Sequence, residues 1–308
     1  MLDGATGRGS WPGDHADAGR VLPGPAYRGP VDRLRPRARR GLAAALSAVA
    51  VVVTSGAALL VPTSPAGADP GTVLPGTSCP AFPADDVWNT PVTGLPVDAD
   101  SAAWLASMDA STTELHPDYG PSSHPTKPYG IPWQIVPSGT PFVPIAFAYA
   151  SESDPGPYPL SATTPIEHGS DRHALMVDPT TCTLYETFAT HYHPHGKSKA
   201  GSGAIWNLDS DALRPAGWTS ADAAGLPILP GLVNYDEVAS GAMDHAIRFT
   251  VACTRESYLW PARHEAGQPD TSCPPMGARF RLDASFTLPT STCSAFCQTV
   301  LTTISPTG

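Results

Sequence analysis

The sequence predicts a mostly β protein, an antiparallel β-sandwich or jelly roll with a few short helices, carried behind an export leader. Three observations predict it. Apolar, β-branched and aromatic residues come in short runs bounded by proline, glycine, aspartate or serine. Proline and glycine number 36 and 28 in 308 residues, which punctuates the chain too often for long helices. No long helical pattern separates the strand-like runs, so a helix-connected parallel sheet is disfavoured.

The leader comes first. Residues 1–32 mix glycine, proline and charge without an apolar period and read as a disordered or untranslated extension. Five arginines (Arg33, Arg35, Arg37, Arg39, Arg40) precede an uncharged run from Gly41 to Val61, and Ala66-Gly67-Ala68 follows. Basic, apolar and small-residue regions in that order predict a secretory signal peptide over 33–68, cleaved after Ala68. The apolar run is long enough to span a bilayer, but its alanines, serines and glycines make it only weakly hydrophobic and nothing basic follows. The expectation is a secreted, extracellular protein with no stable membrane anchor. Arg39-Arg40 raises a twin-arginine route, which Gly41-Leu42-Ala43 continues poorly.

Cleavage removes eight arginines and four aspartates, leaving 10 basic and 24 acidic side chains and a formal charge of −14. Such a chain repels phosphate backbones, and no basic stripe with interleaved aromatics appears, so nucleic acid is not an expected partner. The remaining 240 residues suit one domain. All six cysteines (Cys79, Cys182, Cys253, Cys273, Cys293, Cys297) lie beyond the cleavage site, and an even count in an exported chain predicts disulfides. Their pairing stays open. Cys253 with Cys273 would close a modest loop, whereas Cys293 and Cys297, four apart, would share a helix face without needing to bond each other.

Along the mature chain, 69–78 is a linker and 79–308 a single β-rich domain with a short C-terminal helix. Ser101–Met108 has helical spacing, with Trp104 and Met108 on one face. Strands are expected at Ile131–Val136, Phe142–Ala150, His173–Asp178, Cys182–Phe188, Gly203–Leu208, His245–Ala252, Tyr258–Trp260 and Arg279–Leu282. Asp178-Pro179-Thr180-Thr181 is a turn, so 173–188 reads as a hairpin. Thr219–Ala224 and Ala295–Thr303 are the other helical stretches.

Histidine is the unusual residue. In His191-Tyr192-His193-Pro194-His195 an extended backbone would place His191, His193 and His195 on one face. Imidazoles two apart can meet one ion, so this is a candidate site for a divalent metal, zinc or copper, with Glu186 or His173 completing it. A second constellation is more dispersed. Asp171 and His173 open one strand, Asp244 and His245 open another, Glu186 sits mid-strand, and Arg263 follows the Trp260 strand end. Converging strands would bring these to one concave face with Trp206, Trp218 and Trp260. Carboxylates beside flat rings suit sugar chemistry: one acid for the leaving oxygen, one base or nucleophile, and aromatic platforms for pyranose faces. Each of these residues also has a plainer reading, because aspartates at strand starts cap turns and interior histidines hold structural hydrogen bonds.

The diagnostic motifs are missing. There is no G-x-S-x-G, and His264-Glu265-Ala266-Gly267-Gln268 begins like a zinc-protease helix but ends in glutamine. Gly169-Ser170-Asp171-Arg172-His173-Ala174-Leu175, the long run Leu213–Ile228, and Trp260-Pro261-Ala262-Arg263-His264 carry a resemblance of another kind. With Phe82–Asn89, Tyr235–Val238 and Asp244–Phe249, they make residues 82–288 resemble a family of exported bacterial proteins with no assigned activity. The resemblance implies a secreted β-rich domain and no particular reaction; the His-x-His-x-His cluster is a departure from the family pattern. The function expected first is a secreted β-sandwich enzyme acting on a polysaccharide or cell-wall glycan, a glycoside hydrolase or a polysaccharide lyase working by β-elimination. Asp171, His173, Glu186, Asp244 and His245 would be its catalytic residues, with Trp206, Trp218, Trp260 and Arg263 binding substrate. Two rivals stand beside it: a non-catalytic glycan- or wall-binding module, and a metalloprotein built on the histidine cluster.

Overall fold

Alternating apolar residues in two neighbouring runs build the centre of the fold. The computed structural model describes residues 72–113, 130–289 and 292–305; the leader assigned to 1–32 and 33–68 lies outside them. Strands β3 (Ala174–Asp178) and β4 (Thr183–Phe188) form the expected hairpin, antiparallel with Leu175 opposite Glu186. The Asp178 carboxylate accepts from the Thr180 N–H at 2.9 Å and the Thr180 hydroxyl at 2.6 Å across the turn. Strand β6 (Ser202–Asn207) adds antiparallel to β4, and β1 (Trp133–Ile135) adds parallel to β3, giving the order β1-β3-β4-β6. Two smaller pairs are both parallel: β2 (Ile145–Phe147) with β5 (Ser198–Ala200), and β7 (Arg255–Tyr258) with β8 (Pro275–Met276).

The described residues are thus mostly sheet with few helices, and the sheets are open. Within the main sheet β3–β4 and β4–β6 pair antiparallel, as expected, whereas β1–β3 is parallel. The connection over 136–173 is long enough to return the chain parallel to β1 without a crossover helix.

Both faces of the main sheet are covered. On one, Leu175, Val177, Leu184, Ala204 and Trp206 pack against Leu74, Phe82, Ile228 and Leu229. On the other, Ala174 and Met176 meet Ile145, Tyr158, Leu160 and Ala200, with Tyr185 and Ile205 alongside. Leu175, Met176, Val177 and Leu184 are fully buried, each stabilising by about 1.5–3 kcal/mol. Gly203 makes the second face possible, because a Cβ there would sit 2.5 Å from the Phe147 ring. The folded body begins ahead of Cys79: Val73 bridges Pro80 and Leu74 joins the core, so the stretch assigned as linker is in part structural.

Helix α1 (Ser101–Ser107) and helix α3 (Ala295–Thr303) fall where the spacing predicts. Between them α2 (Tyr235–Ser240) forms where none is expected, with Glu237 accepting from the Asn234 backbone N–H and Gly241 closing it at φ +87°. Thr219–Ala224 is not a helix. The Ser220 hydroxyl and Asp222 carboxylate capture the amides of Asp222 and Ala224, so local side-chain bonds replace helical ones. His245–Ala252 is no strand, since its partners are isolated: Ala246 N–H donates to the Trp88 carbonyl and Arg248 N–H to the Gly231 carbonyl. Among the described residues no helix is long and apolar enough to cross a membrane.

All six cysteines are paired, Cys79–Cys182, Cys253–Cys273 and Cys293–Cys297. The last pair corrects the expectation of a shared helix face. Cys293 precedes the Ser294 N-cap and is therefore outside α3, free to turn its sulfur back to Cys297. Sequence separations of 103, 20 and 4 order the loop-closure contributions at about 5, 3 and 2 kcal/mol. Double serine replacement of Cys79 and Cys182 should therefore lower unfolding free energy more than twice as much as the same change at Cys293 and Cys297. Denaturant midpoints measure this, and equal losses would contradict the loop-length account.

Candidate functional site

Period-two alternation puts Glu186 on the same face as Leu184, pointing into the core rather than toward solvent. Its carboxylate is 0% exposed. Oε1 accepts from the Ile228 and Leu229 N–H groups, both at 2.9 Å, and Oε2 accepts from Ile228 at 3.1 Å and from the Trp206 indole Nε1 at 3.3 Å. Burial pushes the Glu186 pKa up to about 7, while the Leu229 and Ile228 amides, the nearby His173 and Trp206 pull the other way.

His173 lies on the same face, its ring 5.9 Å from Phe188. Its Nδ1 is 2.7 Å from Glu167 Oε2, and its Nε2 is 3.1 Å from the Ala221 carbonyl. Both partners offer oxygen acceptors to the ring. Burial would raise the Glu167 pKa, but the hydrogen bonds from the His173 side chain and backbone outweigh it and hold it below the usual value. His245 has a separate set of partners. Its Nδ1 meets the Ala246 carbonyl at 2.9 Å and its Nε2 meets Glu237 at 3.4 Å. Burial lowers the His245 pKa, yet the Glu237 carboxylate and the Ala246 carbonyl win and leave it raised.

The structure therefore brings Glu186 and His173 together and leaves His245 apart. Each has its polar atoms occupied by the chain itself, and none of the three opens onto a shared cleft. Asp171 and Asp244 are exposed at the surface, away from that buried face. Trp206 is 4% exposed, with Phe82 edge-on at 6.4 Å and the Arg214 guanidinium over its ring at 5.6 Å, so it has no free face for a sugar. The structure does not gather the expected catalytic residues in one cleft, and partners distant in sequence take up the polar atoms of Glu186 and His173.

Arg214 is a residue that sequence reasoning missed. It lies between Trp206 and Trp218, 5.4 Å from the latter ring, and donates to the Thr219 and Glu152 carbonyls at 2.8 Å and to Asp154 at 2.5 Å. Trp218 is half-buried on this stack. Its loop is pinned to the Trp260–His264 loop: Gly217 N–H donates to the Arg263 carbonyl, and Arg263 Nε donates to the Arg214 carbonyl at 2.8 Å. Gly225, at φ +68°, permits the close approach, since a Cβ there would lie 2.5 Å from the Trp218 carbonyl oxygen. Trp260, on the pinned loop, is 65% exposed.

A narrow cleft lies between two of the sequence's own motif stretches, lined by Phe82, Asp86, Trp88, Trp206, Asp211 and Pro227. It holds about 10 Å³, room for one water and not for a sugar ring. Burial raises the Asp86 pKa there against the Trp88 N–H that the carboxylate accepts.

The structure does not draw His191, His193 and His195, the expected zinc or copper ligands, together around one point. Tyr192 packs inward against the second core, but Pro194 and His195 turn the chain, ending the alternation the site requires. Among the described residues no three histidine, cysteine, aspartate or glutamate side chains stand close enough to share an ion.

Compared with protein-family models, curated proteins and solved structures, the chain matches none. The site has to be read from its own geometry.

That geometry predicts a stability maximum on the acid side of neutrality. A folded Glu186 pKa raised to about 7 stabilises fully below the ordinary carboxylate range, and this contribution is lost as pH rises toward 7. The raised His245 pKa acts alike, its contribution lost as pH rises above about 6.5 and through the folded value. The lowered Glu167 and Glu237 pKa values stabilise above about 4.5 and lose their contribution as pH falls. Melting temperature against pH should peak between about 4.5 and 6.5. A peak at pH 8 or above would refute the assignment.

Proposed function

We propose that this is an exported, non-catalytic glycan-binding module on a sandwich-like β scaffold, with Trp260, Trp218 and Arg263 as its binding edge. The observation that carries the reading is Trp260: a large flat ring, 65% exposed, on a loop fastened by hydrogen bonds to the loop of Trp218. An exposed indole on a pinned loop suits the apolar face of a pyranose, because little side-chain or backbone freedom is lost on stacking. Arg263 has its Nε committed to the Arg214 carbonyl, which fixes the guanidinium beside the same surface. The β2–β5 pair laid over one face of the main sheet supports the sandwich part of the proposal. Paired cysteines and an acidic chain support export.

Hydrolysis or β-elimination has less support. Glu186 would have to protonate or deprotonate substrate from a position that neither solvent nor a sugar reaches. The formal charge of −14 left after leader cleavage, 10 basic against 24 acidic side chains, also favours neutral or amino-bearing glycans over uronates.

Sedimentation with insoluble cellulose, chitin and cell-wall sacculi tests the proposal. Trp260→Ala should weaken binding by about 10–100-fold, as loss of a stacked aromatic anchor does, with the melting temperature unchanged. Failure of the unaltered protein to bind any of the three, or equal binding by the variant, would remove the reading. Release of reducing ends or unsaturated sugars from the same panel would restore the enzyme.

A further inference from the structure

We infer that Cys293–Cys297 is a thiol-exchange site, a bridge that a dithiol reductant opens and a disulfide oxidant closes while the other two bridges stay intact. The three pairs differ in burial. Cys79 and Cys273 are 0% and 1% exposed, so each of their bridges has one end in the core, whereas neither Cys293 nor Cys297 is buried. They differ in reach as well. Cys293–Cys297 joins residues 4 apart and ties no two elements together, against separations of 103 and 20 for the others.

The local structure also gives the exchange a direction. Cys297 lies in the first turn of α3, where its N–H donates to the Ser294 hydroxyl at 3.2 Å and no acidic residue stands in that turn. A helix N-terminus stabilises a thiolate, so Cys297 is the better leaving group and Cys293 the sulfur attacked. A thiolate of the dithiol attacks Cys293 Sγ, and the protein S–S bond breaks with its electron pair on Cys297 Sγ. The second thiol of the reductant then displaces Cys293. The protein gains two thiols, taking two electrons and two protons, and the reductant leaves as its own disulfide.

Opening leaves the surroundings in place. Helix α3 is held at its far end by Thr303 Oγ1 donating to the Met243 carbonyl at 3.1 Å, and by Leu282 N–H donating to Ile304 at 2.8 Å. Cys293 itself is held by its N–H to Pro289 at 3.1 Å and by Gln298 Nε2 donating to its carbonyl at 3.0 Å. The two sulfurs therefore stay positioned to bond again.

Oxidised protein treated with dithiothreitol at neutral pH, quenched with N-ethylmaleimide at intervals and mapped by peptide mass spectrometry, tests this. Cys293 and Cys297 should be labelled at least tenfold faster than the other four cysteines, with the far-ultraviolet circular dichroism unchanged. Labelling of Cys79, Cys182, Cys253 or Cys273 at an equal or greater rate would overturn the proposal, as would loss of the spectrum together with the first label. With glutathione as a single-thiol probe, the early adduct should sit on Cys293 and the maleimide on Cys297; the reverse would overturn the direction of attack. In a C293S/C297S variant the slow labelling of the remaining four should keep its rate. Acceleration there would show that the bridge is structural.

Discussion

A carboxylate placed inside a β-sheet must find donors, and the strands beside it have none to spare because their amides serve the ladder. Glu186 sits between Leu184 and Phe188 on the central strand, and its needs are met from outside the sheet. Ile228 and Leu229 supply two backbone N–H groups and Trp206 supplies its indole. Free consecutive amides converge on one point at the start of a helical turn, and Ile228 and Leu229 begin the 3-10 turn Leu229–Gly231. The segment over 219–231 is without α-helix or strand, and it lies across the sheet as a strap. Two further side chains of the sheet fasten it: Ser202 donates to the Ser220 carbonyl at 2.5 Å and His173 reaches the Ala221 carbonyl. An unsatisfied buried charge costs several kcal/mol, so strap and sheet hold together or fail together.

The strap carries its own internal logic. Ser220 Oγ donates to the Leu226 carbonyl, and Asp222 pairs with Arg248 at 2.7 Å, so the turn is closed before it meets the sheet. Arg214, five residues ahead of the strap, is buried with its guanidinium bonded to three oxygens and stacked on two indoles. A planar fork of donors can serve oxygens in its plane while its faces contact rings, which a lysine could not do. The result is a polar network inside an apolar contact. This is why a stretch that carries Ser220 and Asp222, with Arg214 just ahead of it, can cover a hydrophobic sheet face.

Local signals in the sequence were sufficient for the β3–β4 hairpin, α1 and α3, because the turn or cap that determines each lies within a few residues of it; the cysteine pairing was not among them. Strand β5 was not legible, as Ser198-Lys199-Ala200 has no strand character and pairs only because β2 runs beside it. Helix α2 did carry a signal, Asn234 with Glu237 three residues on, but six residues without an apolar stripe give periodicity nothing to detect. Pairing direction depends on how a 38-residue connection returns, which no local pattern encodes. The same limit applies to the site. Glu186 and His173 stand out in the sequence as titratable groups in apolar strands. Whether they face solvent is decided by Ile228, 42 positions from Glu186, and by Ala221, 48 from His173.

The tryptophans show how far one residue type can diverge under that constraint. Trp206 spends its indole N–H on Glu186 and its ring face on Arg214, so its contribution is to the core. Trp218 shares the same arginine and is left half-buried. Trp260 stands outside the stack on the loop that the stack positions, and its exposure is not relieved by any aromatic partner among the described residues. Leaving a ring that large in water forgoes burial worth about 1.5–3 kcal/mol. The polar atoms of Glu186 and Arg214 are matched by the chain itself, whereas the Trp260 ring is left in water, and the proposed recognition rests on that exposed surface.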